Sequence, residues 1–326
     1  MVQLLIMEKS LGDLNLLGRR PFFCAATSML AIGGLTNTRA NESIETIDLW
    51  PGLPPGGGGP SGPMRVTPKG AVDHISLPCL RVYRPQYPSG RAVLVAGGGG
   101  YRHINLRHES LPAALWLAAH GITAFVLVYR LPHEGWQDGP CAPLQDAQRA
   151  IRLIRAKAGQ WGIATDHVGV LGFSAGGHLM GLTADWFDFH SYPPVDSADF
   201  LSARPDNAAL IYPVITLEPP YQQTSTRTQM VGPDPTKRMS MEWSVQTHVR
   251  SNCPPIFLVQ SKDDPVSNPA NSLIMARACQ HAGVPVVLHQ PARGGHGFGM
   301  GRAGTPTAAW PLWYAHWLMR QEMIKI

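Results

Sequence analysis

Residues 167–184 commit part of the chain to a strand, a tight turn and a helix, with a serine at the turn. The run from His167 to Phe173 is apolar and β-prone. The run from Ala175 to Ala184 offers helix formers in Ala175, Leu179, Met180, Leu182 and Ala184, diluted by Gly176, Gly177 and Gly181. Between them stands Gly172-Phe173-Ser174-Ala175-Gly176. A G-x-S-x-G set between strand and helix is a nucleophile elbow. Its turn is so tight that small residues are needed two positions either side of the serine, whose Oγ is left exposed at the C-terminal end of a sheet. Glycine, serine and alanine are common, so the flanking strand and helix carry the specificity. The rest of the chain must therefore build a sheet that presents this turn.

A serine hydroxyl is a weak nucleophile at its free pKa and needs a base, and the base needs an acid to orient it. In elbow-bearing sheets the acid follows the serine and the histidine comes last. Asp263 and Asp264 follow the apolar run Pro255–Gln260. His296 sits in Gly294-Gly295-His296-Gly297-Phe298-Gly299, after the run Val284–His289. Both are loops after strands. Thirteen histidines occur in the chain, so His296 is singled out by its order, its glycine neighbours and its place after the last strand. Upstream, Ala92–Ala96 reads as a strand followed by Gly97-Gly98-Gly99-Gly100-Tyr101. A glycine run lets backbone N–H groups approach a developing oxyanion with no side chain in the way. Gly98 and Gly99 are the expected donors, with Ala175, the residue after the serine, as the third. The run carries no G-x-x-x-x-G-K-[ST], so a nucleotide-phosphate loop is not expected.

With these residues in hand, the chain resembles the α/β-hydrolase esterases grouped with acetyl esterases and acetylxylan esterases. The matching pieces are Leu49-Trp50-Pro51-Gly52, Gly97–Tyr101, Glu109, Tyr129-Arg130-Leu131 and Asp146–Ala150. The serine elbow, Asn271-Ser272 and the Gly-Gly-His-Gly-Phe run complete them. They span nearly all of the chain beyond residue 48. The resemblance implies a serine ester hydrolase acting on short acyl groups, acetyl above all, carried on plant-polysaccharide sugars, with no cofactor. Its partner would be a small ester or acetylated oligosaccharide. Many relatives carry proline or histidine before the three glycines, where this chain has Gly97, so a looser loop is expected. The D-x-x-V spacing from Asp263 to Val266, common at this point in related hydrolases, assigns Asp263 as the acid. Asp264 is the alternative and could instead shape the turn before Pro265. Two other readings exist. A prolyl-oligopeptidase-type peptidase shares the D-x-x-V and Gly-His-Gly neighbourhood, but about 50 mature residues before the glycine loop are too few for a gating propeller. A non-catalytic binding protein on the same scaffold has no need of serine, aspartate and histidine together.

Apolar runs alternate with amphipathic stretches along the chain. Strands are expected at 92–96, 122–129, 168–173, 208–214, 256–260 and 284–289. Helices are expected at 111–120, 143–159, 175–184, 268–282 and 307–323. Uninterrupted apolar strands are those covered by helices on both faces. The fold is then α/β, a doubly wound, mostly parallel sheet with its first strands antiparallel at the edge. A catalytic domain is expected over 64–326, after a Pro/Gly-rich extended lead-in over 41–63. Residues 215–250, with Pro219, Pro220, Pro233 and Pro235, break the rhythm and read as a cap-like excursion over the site or a plain surface connection. Tyr101, Phe173 and Trp243 are candidates for the substrate pocket. Glu109 is expected to hydrogen-bond backbone near the glycine loop, and Asp146 with Arg149 to form an ion pair on one helix.

The net charge of +5 is modest. Residues 1–40 carry four of the bases and two of the acids, leaving +3 on the remainder, with no basic run suited to nucleic acid. Arg19-Arg20-Pro21-Phe22-Phe23, the mildly apolar stretch to Leu35 and Thr38-Arg39-Ala40 read as a twin-arginine export signal over 1–40. Met7 could be its true start. The stretch is too short for a transmembrane helix. A periplasmic or secreted enzyme is expected, with no stable membrane insertion once the signal is removed. Such a compartment tolerates disulfides; Cys79, Cys141, Cys253 and Cys279 allow three pairings, and Cys279, in an expected helix, reads as a buried free thiol. No HExxH, CxxC or carboxylate cluster points to a catalytic metal.

Overall fold

The computed structural model describes residues 44–323; the expected export signal lies outside the described residues. Among the described residues, ten strands and seven α-helices follow in sequence. The strands are β1 (Thr46–Asp48), β2 (Arg65–Val66), β3 (Val72–Asp73), β4 (Cys79–Tyr83), β5 (Arg91–Ala96), β6 (Ile122–Val128), β7 (Val168–Phe173), β8 (Ala208–Ile211), β9 (Ile256–Val259) and β10 (Val286–His289). The helices are α1 (Leu111–Ala119), α2 (Ala142–Ala156), α3 (Ala175–Asp185), α4 (Ser225–Val231), α5 (Lys237–Glu242), α6 (Ala270–Ala282) and α7 (Trp310–Arg320).

Eight strands form one sheet in the order β1-β4-β6-β5-β7-β8-β9-β10, and β2 and β3 make a separate two-stranded ribbon. From β6 to β10 every pairing is parallel; β1 and β4 join antiparallel at one edge. The sequence explains the split. Every residue of β5 through β9 is buried, as continuous apolar runs require when helices cover both faces. β4, second from the edge, alternates instead between buried and half-buried residues, the pattern of a strand with one face less well covered.

The lead-in is shorter than its Pro/Gly content predicts. β1 pairs with β4 in register Thr46 to Arg81, and Leu49 and Trp50 are buried in the core. The expected ion pair on α2 is also rearranged. Asp146 faces Arg130 at 2.9 Å and accepts from Trp50 Nε1 at 2.8 Å. Arg149 turns to Asp196 and Asp199 at 2.5 and 3.0 Å. Tertiary partners outcompete the helical i,i+3 neighbour because both side chains lie on the buried face of α2, where an unpaired charge would cost several kcal/mol. The four cysteines from Cys79 to Cys279 are free thiols.

Candidate active site

Ser174 sits where β7 ends and α3 begins, at φ 52° and ψ −117°. A left-handed non-glycine residue costs on the order of 1–3 kcal/mol and survives only where the surroundings over-determine it. Here the Ser174 N–H donates to Ile211 O at 3.0 Å, and its carbonyl accepts from His178 N–H at 3.0 Å and Val214 N–H at 3.4 Å. The glycine flanks are sterically required: a Cβ on Gly172 would stand 2.2 Å from Gly176 O.

Ser174 Oγ lies 2.9 Å from His296 Nε2, and His296 Nδ1 lies 2.8 Å from Asp264 Oδ2. The carboxylate only accepts, so the imidazole proton belongs on Nδ1 and the Nε2 lone pair faces the hydroxyl. Asp264, not Asp263, therefore partners His296. Its side chain is fully buried, and its other oxygen accepts the N–H groups of Val266 and Ser267, both at 2.9 Å. The turn before Pro265 and the orientation of the base are thus served by one carboxylate, roles that D-x-x-V spacing assigned separately. Asp263 faces the other way. It accepts from Ser261 Oγ and from the N–H groups of Gly294 and Gly295 at 2.9 and 2.8 Å, fastening the loop that carries His296. Those donors hold its pKa below the usual carboxylate value.

The glycine loop also differs from expectation. Gly98 N–H donates to Glu109 Oε2 at 2.5 Å, so it is already engaged. Gly99, at φ 125°, and Gly100, at φ 64°, turn the backbone next. Among the described residues no protein group accepts the N–H of Gly99 or Ala175. Those two remain for an oxyanion, and Gly98 does not. The loop is not loose despite Gly97: Tyr129 Oη donates to Gly97 O at 2.8 Å, and Tyr101 Oη bonds His178 Nδ1 at 3.0 Å. His178 Nε2 lies 2.8 Å from Trp243 O. Because that carbonyl can only accept, Nε2 carries the proton and Nδ1 accepts from Tyr101. Burial pushes the His178 pKa down to about 4, keeping the ring neutral.

Ser174 and His296 open on a concavity of about 210 Å³, lined also by Arg102, His103, Asn105, Ser225 and Thr226. Tyr101, Phe173 and Trp243 are not on its wall. Tyr101 and Phe173 are buried, Phe173 against Tyr212 and Trp310, and Trp243 packs edge-on to Trp186. The 215–250 excursion does reach the site, through α4 rather than Trp243. Thr224, Ser225 and Thr226 form the wall, with Thr224 capping α4 by accepting from Arg227 N–H at 3.2 Å. That capping threonine before S-T-R was the available signal. Tyr212 was not legible as a site residue. It follows β8 at φ 40°, stands edge-on to His296 with ring centres 4.9 Å apart, and donates from Oη to Glu109 Oε1 at 2.9 Å.

Comparison with known proteins identifies the family. The BD-FAE family profile matches residues 80–278. The acetylxylan esterase of Xylanibacter ruminicola is 32% identical over 223 residues, covering 67% of this chain and 43% of that protein. Endo-1,4-beta-xylanase B of Butyrivibrio fibrisolvens is 35% identical over 205 residues, 63% of this chain and 32% of its own. The chain thus spans less than half the length of these relatives. Among solved structures, the acetyl ester-xyloside bifunctional hydrolase of Caldicellulosiruptor lactoaceticus is 32% identical with TM-score 0.72, over 86% of this chain and 97% of that one. A Thermogutta terrifontis esterase, 22% identical with TM-score 0.64 over 81% and 96%, shares the fold. The chain belongs to the BD-FAE family, and its fold is that of the α/β-hydrolase esterases.

Proposed function

We propose that the chain is a serine carboxylic-ester hydrolase that removes short acyl groups, acetyl above all, from plant-polysaccharide sugars. The observation that carries this is the line Ser174 Oγ, His296, Asp264 at 2.9 and 2.8 Å, beside the uncommitted N–H groups of Gly99 and Ala175. His296 Nε2 takes the Ser174 proton as Oγ attacks the ester carbonyl. Asp264 holds the imidazolium that forms, and the two N–H groups receive the oxyanion. The imidazolium then protonates the departing sugar oxygen. Water, deprotonated by His296, cleaves the acyl-enzyme and frees the acid and Ser174.

The size of the concavity, about 210 Å³, suits a short acyl group. Its wall of Arg102, His103, Asn105, Ser225 and Thr226 suits a hydroxyl-rich alcohol rather than a lipid. The relatives that are an acetylxylan esterase and an acetyl ester-xyloside hydrolase support the same substrate class. The twin-arginine pattern supports export to the periplasm or medium, where such polymers are met.

The test is hydrolysis of p-nitrophenyl acetate, butyrate and octanoate and of acetylated xylan by the full chain, with Ser174→Ala alongside. Activity falling steeply from acetyl to octanoyl, acetate release from xylan, and loss of both in the variant by roughly 10⁴-fold or more are expected. A preference for octanoate would overturn the short-acyl assignment. Full activity in Ser174→Ala would overturn the mechanism.

A further inference from the structure

Glu109 is a buried carboxyl to which the reaction above gives no task. It lies on the short π-helical turn Leu106–Ser110 ahead of α1, is 4% exposed, and lines the same concavity as Ser174. Among the described residues only donors converge on it: Gly98 N–H on Oε2 at 2.5 Å and Tyr212 Oη–H on Oε1 at 2.9 Å. Among the described residues no Lys or Arg pairs with it. A set of donors without an acceptor suits the ionised form. Burial nevertheless pushes its pKa up, against those donors and the nearby His296.

The two oxygens reach opposite halves of the site. Oε2 holds the glycine loop. Oε1 holds Tyr212, whose oxygen in turn accepts Gly299 N–H at 3.1 Å, three residues beyond His296. The Tyr212 ring walls the imidazole on one side. A carboxylate in this place does two things. It consumes Gly98 N–H, which fixes the loop so that Gly99 N–H is left for the oxyanion. It also sets a negative charge near the ring that becomes imidazolium during the reaction.

We propose that Glu109 is a positioning residue that locks the oxyanion loop to the histidine loop through Tyr212, and that its charge favours protonated His296. This rests on the esterase reading above. The groups facing His296 are Asp264 on Nδ1, Ser174 on Nε2, the Tyr212 ring and the Arg302 guanidinium on its carbonyl oxygen at 3.4 Å. Those facing Glu109 are Tyr212, Asn105 and, at longer range, Tyr129 and His296. Of all these only Asp264 and Glu109 bring negative charge toward the ring.

The experiment is the pH profile of kcat and kcat/KM for p-nitrophenyl acetate in the full chain, for wild type, Glu109→Gln, Glu109→Asp and Tyr212→Phe. The acid limb of kcat/KM reports the base of the free enzyme. Glu109→Gln is expected to lower kcat about tenfold or more with little change in KM. It should also move the acid limb down by about half a pH unit or more, because a neutral amide no longer favours imidazolium. Glu109→Asp and Tyr212→Phe keep the charge and break a contact, so kcat should fall while the limb stays. An unmoved limb in Glu109→Gln, or loss of activity only in step with loss of folded protein, would overturn the proposal. Should Glu109→Gln not fold, wild-type kcat in the other two variants would overturn it equally. Wild type and Ser174→Ala separate this outcome from failure of the esterase reading, since that reading fails if wild type is inactive or the serine variant stays active.

Discussion

Replacing Asp264 by asparagine asks which of two adjacent aspartates serves the base, and the structure sets the size of the answer. Asp264 uses Oδ1 for the N–H groups of Val266 and Ser267 and Oδ2 for His296 Nδ1. Asparagine has one oxygen. If that oxygen stays on the two turn N–H groups, the amide NH₂ faces Nδ1 and drives the imidazole proton to Nε2. The Ser174 hydroxyl then meets a donor instead of a base. The wrong tautomer at intact geometry costs about 10⁴ in kcat, or roughly 5.5 kcal/mol of transition-state stabilisation. Asp263→Asn is the matched control. Asp263 gathers Ser261 Oγ, Gly294 N–H and Gly295 N–H on a single oxygen, and an asparagine oxygen keeps all three, so kcat should stay within about tenfold of wild type. The assay is kcat for p-nitrophenyl acetate at pH 8, with thermal melting of both variants to confirm folding. A thousandfold loss in Asp263→Asn with near-normal Asp264→Asn would refute the assignment, and with it the tautomer argument.

Two further outcomes follow from buried contacts. Gly176→Ala places a Cβ 2.3 Å from Ala96 O and 2.5 Å from Gly97 O. Both are backbone atoms that cannot step aside cheaply, so the melting temperature should fall by several degrees, and kcat should fall further than the loss of folded protein explains. Asp185→Asn, at the end of α3, should raise the melting temperature at pH 8 and raise it less than half as much at pH 5, as read by calorimetry across that range.

The architecture was legible because burial writes itself into composition. The all-apolar runs of β5 to β9 could only be central strands, and Gly172-x-Ser174-x-Gly176 between one of them and a helix could only be a sharp turn. Ser174 and His296 were legible for the same reason: local sequence fixes the loop that carries each. The acid was not, because Asp263 and Asp264 are neighbours and their side chains point to opposite sides of one turn. No pattern shorter than the turn's own hydrogen bonds tells them apart. The oxyanion donors failed similarly. Three glycines offer equivalent N–H groups until Glu109, eleven residues on, consumes one of them. Tyr212 was hidden because its sequence context, the end of an apolar strand, reads as core; only its left-handed φ of 40° turns it beneath His296. In each case the missing information was a contact between residues far apart in sequence.

Helix α3 shows how such contacts also set the response to pH. Besides following the serine, it buries His178 and Asp185 completely. Burial holds His178 down at about 4 and pushes Asp185 up to about 7, and neither Asp185 oxygen has a hydrogen-bond partner among the described residues. The two act with opposite sign. Between about pH 4 and 6.5 the unfolded chain holds a proton on His178 that the fold lacks, so stability from this group rises with pH. From the ordinary carboxylate value of 3.8 up to about 7 the fold holds a proton on Asp185 that the unfolded chain lacks, so stability from that group falls with pH. Over their shared window the slopes, each about 1.4 kcal/mol per pH unit, cancel. Above pH 7 only the Asp185 penalty persists, on the order of 4 kcal/mol for a carboxyl raised from 3.8 to about 7. Asp185→Asn removes that penalty and exposes the His178 slope. Its stability should therefore climb between pH 4.5 and 6.5 where the wild-type contribution of this helix is flat. A flat variant would mean that burial does not hold His178 neutral over that interval, and a wild type equally flat would then mean that Asp185 is ionised in the fold well below pH 7.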